Sequence, residues 1–201
     1  MRLKEEQRFE QIIHKSRFIA CAAPCTAEEQ CRTYIESIRK EFNDATHVCT
    51  AYICGDHDEI QRSSDNHEPA GTAGVPMLEA LKKSHLKDVC VCVVRYFGGI
   101  KLGAGGLIRA YSSSVSQCLL NAPKTEDVTV SQYLVTYPYN LSGTLENWLR
   151  RYTDVRDFQY SETVSCLFET DREDIFKDIQ NLTHGEITPE FVRTVIRQKD
   201  I

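Results

Sequence analysis

Residues 94–114 read VRYFGGIKLGAGGLIRAYSSS, which sets five glycines between an apolar strand and an amphipathic helix. Glycine loses more backbone freedom on folding than any other residue, so nothing in ordinary core packing asks for Gly98, Gly99, Gly103, Gly105 and Gly106 in one short span. Two uses account for such a cluster. It permits a tight turn and close passage of helix against sheet, or it opens the backbone N–H groups at a helix start to an anion. Arg95, Lys101 and Arg109 flank it. Arg109 is expected in the first helical turn, where a cation opposes the helix dipole unless an anion is bound beside it. The spacing is neither that of a Walker loop nor the G-x-G-x-x-G of a dinucleotide fingerprint.

Working outward, residues 89–96 read VCVCVVRY. This near-continuous apolar run predicts a strand buried on both faces. The stretch 55–74, GDHDEIQRSSDNHEPAGTAG, is expected to be a long polar connection without a regular element. Connections of that length are commonly functional or mobile. Within it Asp65 and Glu68 offer carboxylates three positions apart. With Arg95 opposite, they suit either a Mg²⁺-bridged phosphate, since Mg²⁺ takes one or two carboxylates plus phosphate oxygens, or a plain ion pair of Arg95 with Glu68 or Asp65 that orders the loop. His47 is placed on a strand over residues 46–53, on the same side as Cys49, Ala51 and Ile53. It reads as a general base or as a hydrogen-bonded strand residue. Tyr96 and Phe97 read as stacking partners for a base or as core. Ser112, Ser113 and Ser114 sit within a helix, where hydroxyls return to backbone carbonyls, so no nucleophile and base form a set.

Other segments supply the scaffold. Residues 8–23 predict a strand interrupted near 14–16. A capping box of Thr26 and Glu29 is expected to open a helix with Cys31, Tyr34, Ile35, Ile38 and Phe42 on one face. A second helix is expected from Pro76, and a third carries Leu107, Ile108, Tyr111, Val115, Cys118 and Leu119 on one side. Beyond it come a strand over 128–139, a helix bearing Leu141, Leu145, Trp148, Leu149 and Tyr152, and strands over 155–160 and 163–169. A capping box of Thr170 and Glu173 is then expected to open a helix with Ile175, Phe176, Ile179 and Leu182, before a last strand through Phe191, Val195 and Ile196. That β-α-β-β-α-β order is ferredoxin-like. The class is α+β, and the boundary is expected within 122–127, giving domains 1–124 and 125–201.

The chain has 201 residues, 41% of them hydrophobic, and a formal net charge of -5. That length is enough for packed cores. Residues 1–124 carry 16 Lys and Arg against 15 Asp and Glu, or +1, while residues 125–201 carry 8 against 14, or -6. A phosphate site therefore belongs in the first part. The acidic second part suits a protein partner better than a broad RNA surface. No apolar run suggests a signal peptide or a membrane span, so a cytoplasmic protein without membrane contact is expected. The cysteines number nine, an odd count without C-x-x-C spacing. They read as reduced thiols, and no metal is assigned to them.

KSRFI at 15–19, ATH at 45–47, SDNHEPAGTAG at 64–74 and RYFGGIKLGAGGLIRAYS at 95–112 together resemble the YigZ/IMPACT family, over most of residues 8–120. The resemblance implies a first domain like the second domain of a small-subunit ribosomal protein, a fold shared with RNase PH and the GHMP kinases. It implies a ferredoxin-like second domain similar to the last domain of elongation factor G. It further implies a non-enzymatic regulatory or binding protein near translation, with RNA, the ribosome or a nucleotide as partner. The starvation-kinase link of the eukaryotic relatives runs through an N-terminal partner-binding domain not expected here, and it is not carried over. Asp65, Glu68, Gly71, Thr72, Gly74 and the glycine loop match the family, and with His47 they form the implied second loop of the site. Asn66 and His67 depart from the family's SDDGEP, which counts against a role needing adjacent carboxylates. Two other readings stay open. One is a metal-dependent phosphotransferase or hydrolase acting on a small phosphorylated molecule through His47, Asp65 and Glu68; the other is an interaction scaffold. No catalytic residue is assigned, and no cofactor is firmly implied.

Overall fold

In the computed structural model, which describes residues 1–55 and 57–201, the strand Val89–Tyr96 is the centre of the first sheet. The strands of the first part are β1 (Arg2–Leu3), β2 (Gln7–Ile13), β3 (Ser16–Pro24), β4 (His47–Cys54), β5 (Ile60–Ser64) and β6 (Val89–Tyr96). Its helices are α1 (Glu28–Glu41), α2 (Gly74–Lys83) and α3 (Gly103–Leu120). The sheet runs β2-β3-β6-β4-β5, with every neighbouring pair antiparallel. Side chains alternate along a strand, so β6 serves two cores. Its Val89, Val91 and Val93 pack with Met77, Leu107 and Tyr111 from α2 and α3. Cys90, Cys92 and Val94 pack on the other face with Cys31, Ile35 and Ile38 of α1. Burial on both faces is what the continuous apolar run predicts.

Several local expectations are corrected. Residues 60–64 form β5, paired with β4 from Thr50↔Ser64 to Cys54↔Ile60, inside the stretch read as a connection. IQRSS is a half-exposed edge strand. An edge of this kind needs no apolar alternation. Asp56, in the same stretch, lies outside the described residues. Thr26 does not cap α1, which follows Ala27; its N–H and hydroxyl instead donate to Gln30 Oε1 at 2.8 and 3.1 Å. Helix α3 starts at Gly103, so Gly103, Gly105 and Gly106 make its first turn rather than a preceding loop. Arg109 accordingly falls in the second turn. Ile108 points outward, 41% exposed.

The remaining elements are β7 (Lys124–Tyr137), α4 (Asn147–Tyr152), β8 (Asp154–Tyr160), β9 (Val164–Thr170), α5 (Ile175–Leu182) and β10 (Glu190–Asp200). The β-α-β-β-α-β order is present, and the strands lie in the order β10-β7-β9-β8, with β1 also pairing the first residues of β7. The helix expected from Leu141 onward is a 3₁₀ turn at Tyr139–Leu141, a π-helical turn at Ser142–Glu146 and only then α4. Thr170 is no helix cap; its hydroxyl accepts the Arg172 N–H at 3.0 Å, and α5 follows Asp174. Val135, Tyr137, Val164, Cys166 and Phe168 pack there against Leu145, Leu149, Ile175 and Ile179. The chain separates into two compact units, Met1–Glu126 with Asp200–Ile201, and Asp127–Lys199. The protein is thus α+β with two sheets. All nine cysteines are free and buried, and among the described residues no helix is long and apolar enough to cross a membrane.

Candidate functional site

A two-residue turn decides which charges meet. Asn66 (φ 42°) and His67 (φ 68°) are both left-handed. The Glu68 N–H donates to the Asp65 carbonyl at 3.0 Å. Together these features make the pattern of a type I′ turn. The turn sends the two carboxylates to different places. Asp65 accepts the N–H groups of Gly71 at 2.9 Å, Ala73 at 3.0 Å and Gly74 at 2.8 Å. It thereby serves the start of α2 as an N-cap would. Burial acts to raise its carboxyl, but these amide donors outweigh it and hold the group below its ordinary value. Thr72 donates its hydroxyl to Pro69 O at 2.6 Å, closing the same loop.

Glu68 instead turns inward. Its side chain is 3% exposed and accepts from Arg95 Nη1 at 2.5 Å and from Tyr111 Oη at 2.8 Å. Burial pushes the Tyr111 hydroxyl up, so it stays a donor. His47 faces Arg95 across the β4–β6 register. Its Nδ1 donates to Asn66 O at 2.9 Å, and its Nε2 lies 3.8 Å from Glu68 Oε1. Asn66 Oδ1 in turn accepts the Val48 N–H at 2.8 Å, tying the turn to β4. Of the two uses open to these carboxylates, the Arg95–Glu68 pair is the one built. A Mg²⁺ site needing Asp65 and Glu68 together is not, because Asp65 is committed to α2. Among the described residues no group of three or more His, Cys, Asp and Glu is arranged to hold a metal.

Around this pair lies a cavity of about 410 Å³. Arg95, His47 and Glu68 contribute its charged and polar lining, Pro69, Phe97, Leu102 and Leu107 its apolar walls, and Thr46, Lys101, Gly103 and Ala104 complete it. Arg95 is 5% exposed, with its guanidinium 5.4 Å from the Phe18 ring and 5.5 Å from the Phe97 ring. Nη2 reaches Ser16 Oγ at 3.4 Å, while Nε is buried without a hydrogen-bond partner. Helix α3 begins here with no side-chain cap.

The glycines divide by role. A Cβ on Gly98 would stand 2.0 Å from the Lys15 carbonyl carbon, so the chain passes the β2–β3 turn too closely for any side chain. Gly103 has φ +69°, a left-handed entry into α3 that glycine adopts without strain. Gly99 lies in the turn before the helix, and Gly106 sits over Leu102. Gly105 differs: a Cβ there would meet only Arg109 Nη1, at 3.7 Å.

The structure thus brings together His47, Glu68, Arg95, Lys101 and Gly103. It leaves out Arg109, which is exposed and lines a separate groove between α2 and α3 with Gly71, Val75 and Lys83. The reason is the helix start at Gly103, which rotates position 109 away from the cavity. Sequence reasoning missed Ser16, Thr46 and Tyr111 as partners of the site. Tyr111 on an otherwise apolar face was the available signal, since a buried tyrosine hydroxyl needs an acceptor.

The model of the Impact N-terminal domain matches residues 14–119. IMPACT family member YvyE of Bacillus subtilis is 46% identical over 169 residues, covering 84% of this chain and 77% of that one. IMPACT family member YigZ of Escherichia coli is 41% identical over 130 residues, 64% of each chain. A crystal structure described as that of a hypothetical protein is 29% identical, with a TM-score of 0.60 and 96% of both chains covered. The four motifs, the two-sheet fold and these matches agree, and the chain belongs to the IMPACT family.

Proposed function

We propose that the first unit binds a phosphate group, carried by RNA or by a nucleotide, in the cavity between the end of β6 and the start of α3, and that it does so as a non-enzymatic regulatory protein near translation. One observation carries this reading: Arg95 is buried in the cavity lining with a guanidinium N–H that no protein group accepts. A buried donor left unmatched costs about 1–3 kcal/mol, which an anionic oxygen would recover. The uncapped first turn of α3 and the Lys101 ammonium add donors and positive charge on the same side.

Binding rather than turnover is favoured by the nucleophile candidates. The Ser112, Ser113 and Ser114 hydroxyls donate to backbone carbonyls within α3. The Cys49 thiol is pushed up to about 12 by burial and donates to Asp65 O. A thiol so raised yields little of the nucleophilic thiolate. A hydrolase or phosphotransferase built on Asp65 loses that residue to the cap of α2. The place near translation rests on family membership and on the domain likenesses it implies: a ribosomal-protein, RNase PH and GHMP-kinase type for the first unit, and an elongation-factor type for the second. We assign a protein partner to the second unit on account of its acidic balance, and a cytoplasmic location to the whole.

The test is binding of labelled RNA and nucleotides by the intact chain over a range of salt, against Lys101→Ala. Lys101 is exposed and has no partner among the described residues, so its removal leaves the fold alone. The variant is expected to bind more weakly at every sequence and to show a salt slope shallower by about 1. Equal affinity and slope in the two proteins would discard the site.

A further inference from the structure

We infer that the ligand of this cavity is a nucleoside monophosphate unit, with its phosphate at the start of α3 and its base stacked on Phe97. The inference rests on the phosphate reading above and adds the ligand class. The cavity holds about 410 Å³. Small-ligand sites begin at roughly 300 Å³, so this one lies near the small end of their range, enough for one nucleotide and too little for several. Phe97 lines it while remaining 46% exposed. Part of the ring is thus open to a ligand in the cavity. The Phe97 N–H donates to Thr46 Oγ1 at 3.0 Å, which anchors the backbone below the ring, and the Arg95 guanidinium lies 5.5 Å from the ring centroid. A half-exposed aromatic ring beside a cationic phosphate site offers a planar base its stacking surface.

One further feature fits the same ligand. His47 Nδ1 donates to the Asn66 carbonyl, which leaves Nε2 as the ring atom available to a ribose hydroxyl. The helix start does not stand alone as the site, because Arg95, with its buried and unpartnered Nε, is among the residues lining the same cavity.

A nucleoside monophosphate reaches such a site either free or as the phosphorylated end of an RNA. Calorimetric titration of the intact chain with AMP, ribose 5-phosphate, inorganic phosphate, and one oligoribonucleotide with and without a 5′-phosphate separates these cases. AMP is expected to bind roughly tenfold or more tighter than ribose 5-phosphate, the size of one base–aromatic stack. Phe97→Leu should erase that ratio with little change for ribose 5-phosphate, and Phe97→Tyr should keep it. Preference for the 5′-phosphorylated oligonucleotide over AMP would identify the RNA end as the source, and the reverse the free nucleotide. Equal affinities for AMP and ribose 5-phosphate overturn the base contact and leave the phosphate site standing. Absence of binding by all phosphorylated ligands overturns both, whereas binding of the oligonucleotide regardless of its terminal phosphate overturns the monophosphate assignment and leaves the phosphate site standing.

Discussion

Each unit buries one glutamate among arginines, and the two are held differently. Glu169 of the second unit, 5% exposed, receives Arg197 through Nε at 2.7 Å and Nη2 at 2.8 Å, Arg156 Nη2 at 2.8 Å and Gln132 Nε2 at 2.9 Å. Arg193 then donates to Gln132 Oε1 at 3.0 Å, extending the network. Glu68 of the first unit has one arginine, bound through one nitrogen, with Tyr111 as the other donor. Arg156 also keeps an unpartnered Nε, but its side chain is 35% exposed and shares its carboxylate with a second arginine. Beside Glu169 a lysine is answered too, Lys199 by Asp171 at 2.8 Å. A buried ion pair is therefore no mark of a site. What distinguishes the first unit is a buried guanidinium with an unpartnered donor, lining a cavity whose lysine has no partner among the described residues.

That contrast is broken most severely by Arg95→Ala. It strands the Glu68 carboxylate in the core and should cost about 3–5 kcal/mol in urea unfolding, with much of the loss recovered when Glu68→Gln is added. Arg197→Ala should cost less, about 1.5–3 kcal/mol, because Arg156 and Gln132 still serve Glu169. Equal losses for Arg95→Ala and Arg197→Ala would show that the two carboxylates are held alike.

Asp65→Ala should cost about 0.5–2 kcal/mol through the lost cap of α2. Since the folded-state pKa of Asp65 is lowered, its contribution is fully present above the ordinary carboxylate value and is lost as pH falls through the folded value. Stability of the wild type should thus decline more steeply below about pH 4 than that of Asp65→Asn. Matching acid profiles would remove the capping role. The smallest change is His67→Gly, which relieves a left-handed histidine against a looser unfolded chain and should stabilise by less than about 1 kcal/mol. A destabilised His67→Gly would mean that the histidine ring makes contacts the turn geometry does not account for.

What was legible in the sequence followed local periodicity. The Val and Cys run of β6 announced a strand buried on both sides, and the order of apolar repeats announced the β-α-β-β-α-β succession. β5 escaped because a polar edge strand carries no period-2 signal. Both capping boxes were misplaced, since a cap depends on which N–H groups the helix leaves open, and the true service to α2 comes from Asp65, nine positions before Gly74. The glycine cluster marked the right neighbourhood, yet Arg95, not Arg109, belongs to the cavity.

The sequence by itself determined most of the element order, the two-sided burial of β6 and the family, because those rest on short-range patterns of apolar side chains and on contiguous motifs. Tertiary structure alone decided which charges share a cavity. Asp65 and Glu68 are neighbours in the chain, but a left-handed turn at Asn66 and His67 parts them. Arg95 meets Glu68 27 positions away and Ser16 79 positions away, because the register of β3, β6 and β4 sets them side by side. Through-space electrostatics follow strand register and turn handedness, which no local pattern of residues encodes.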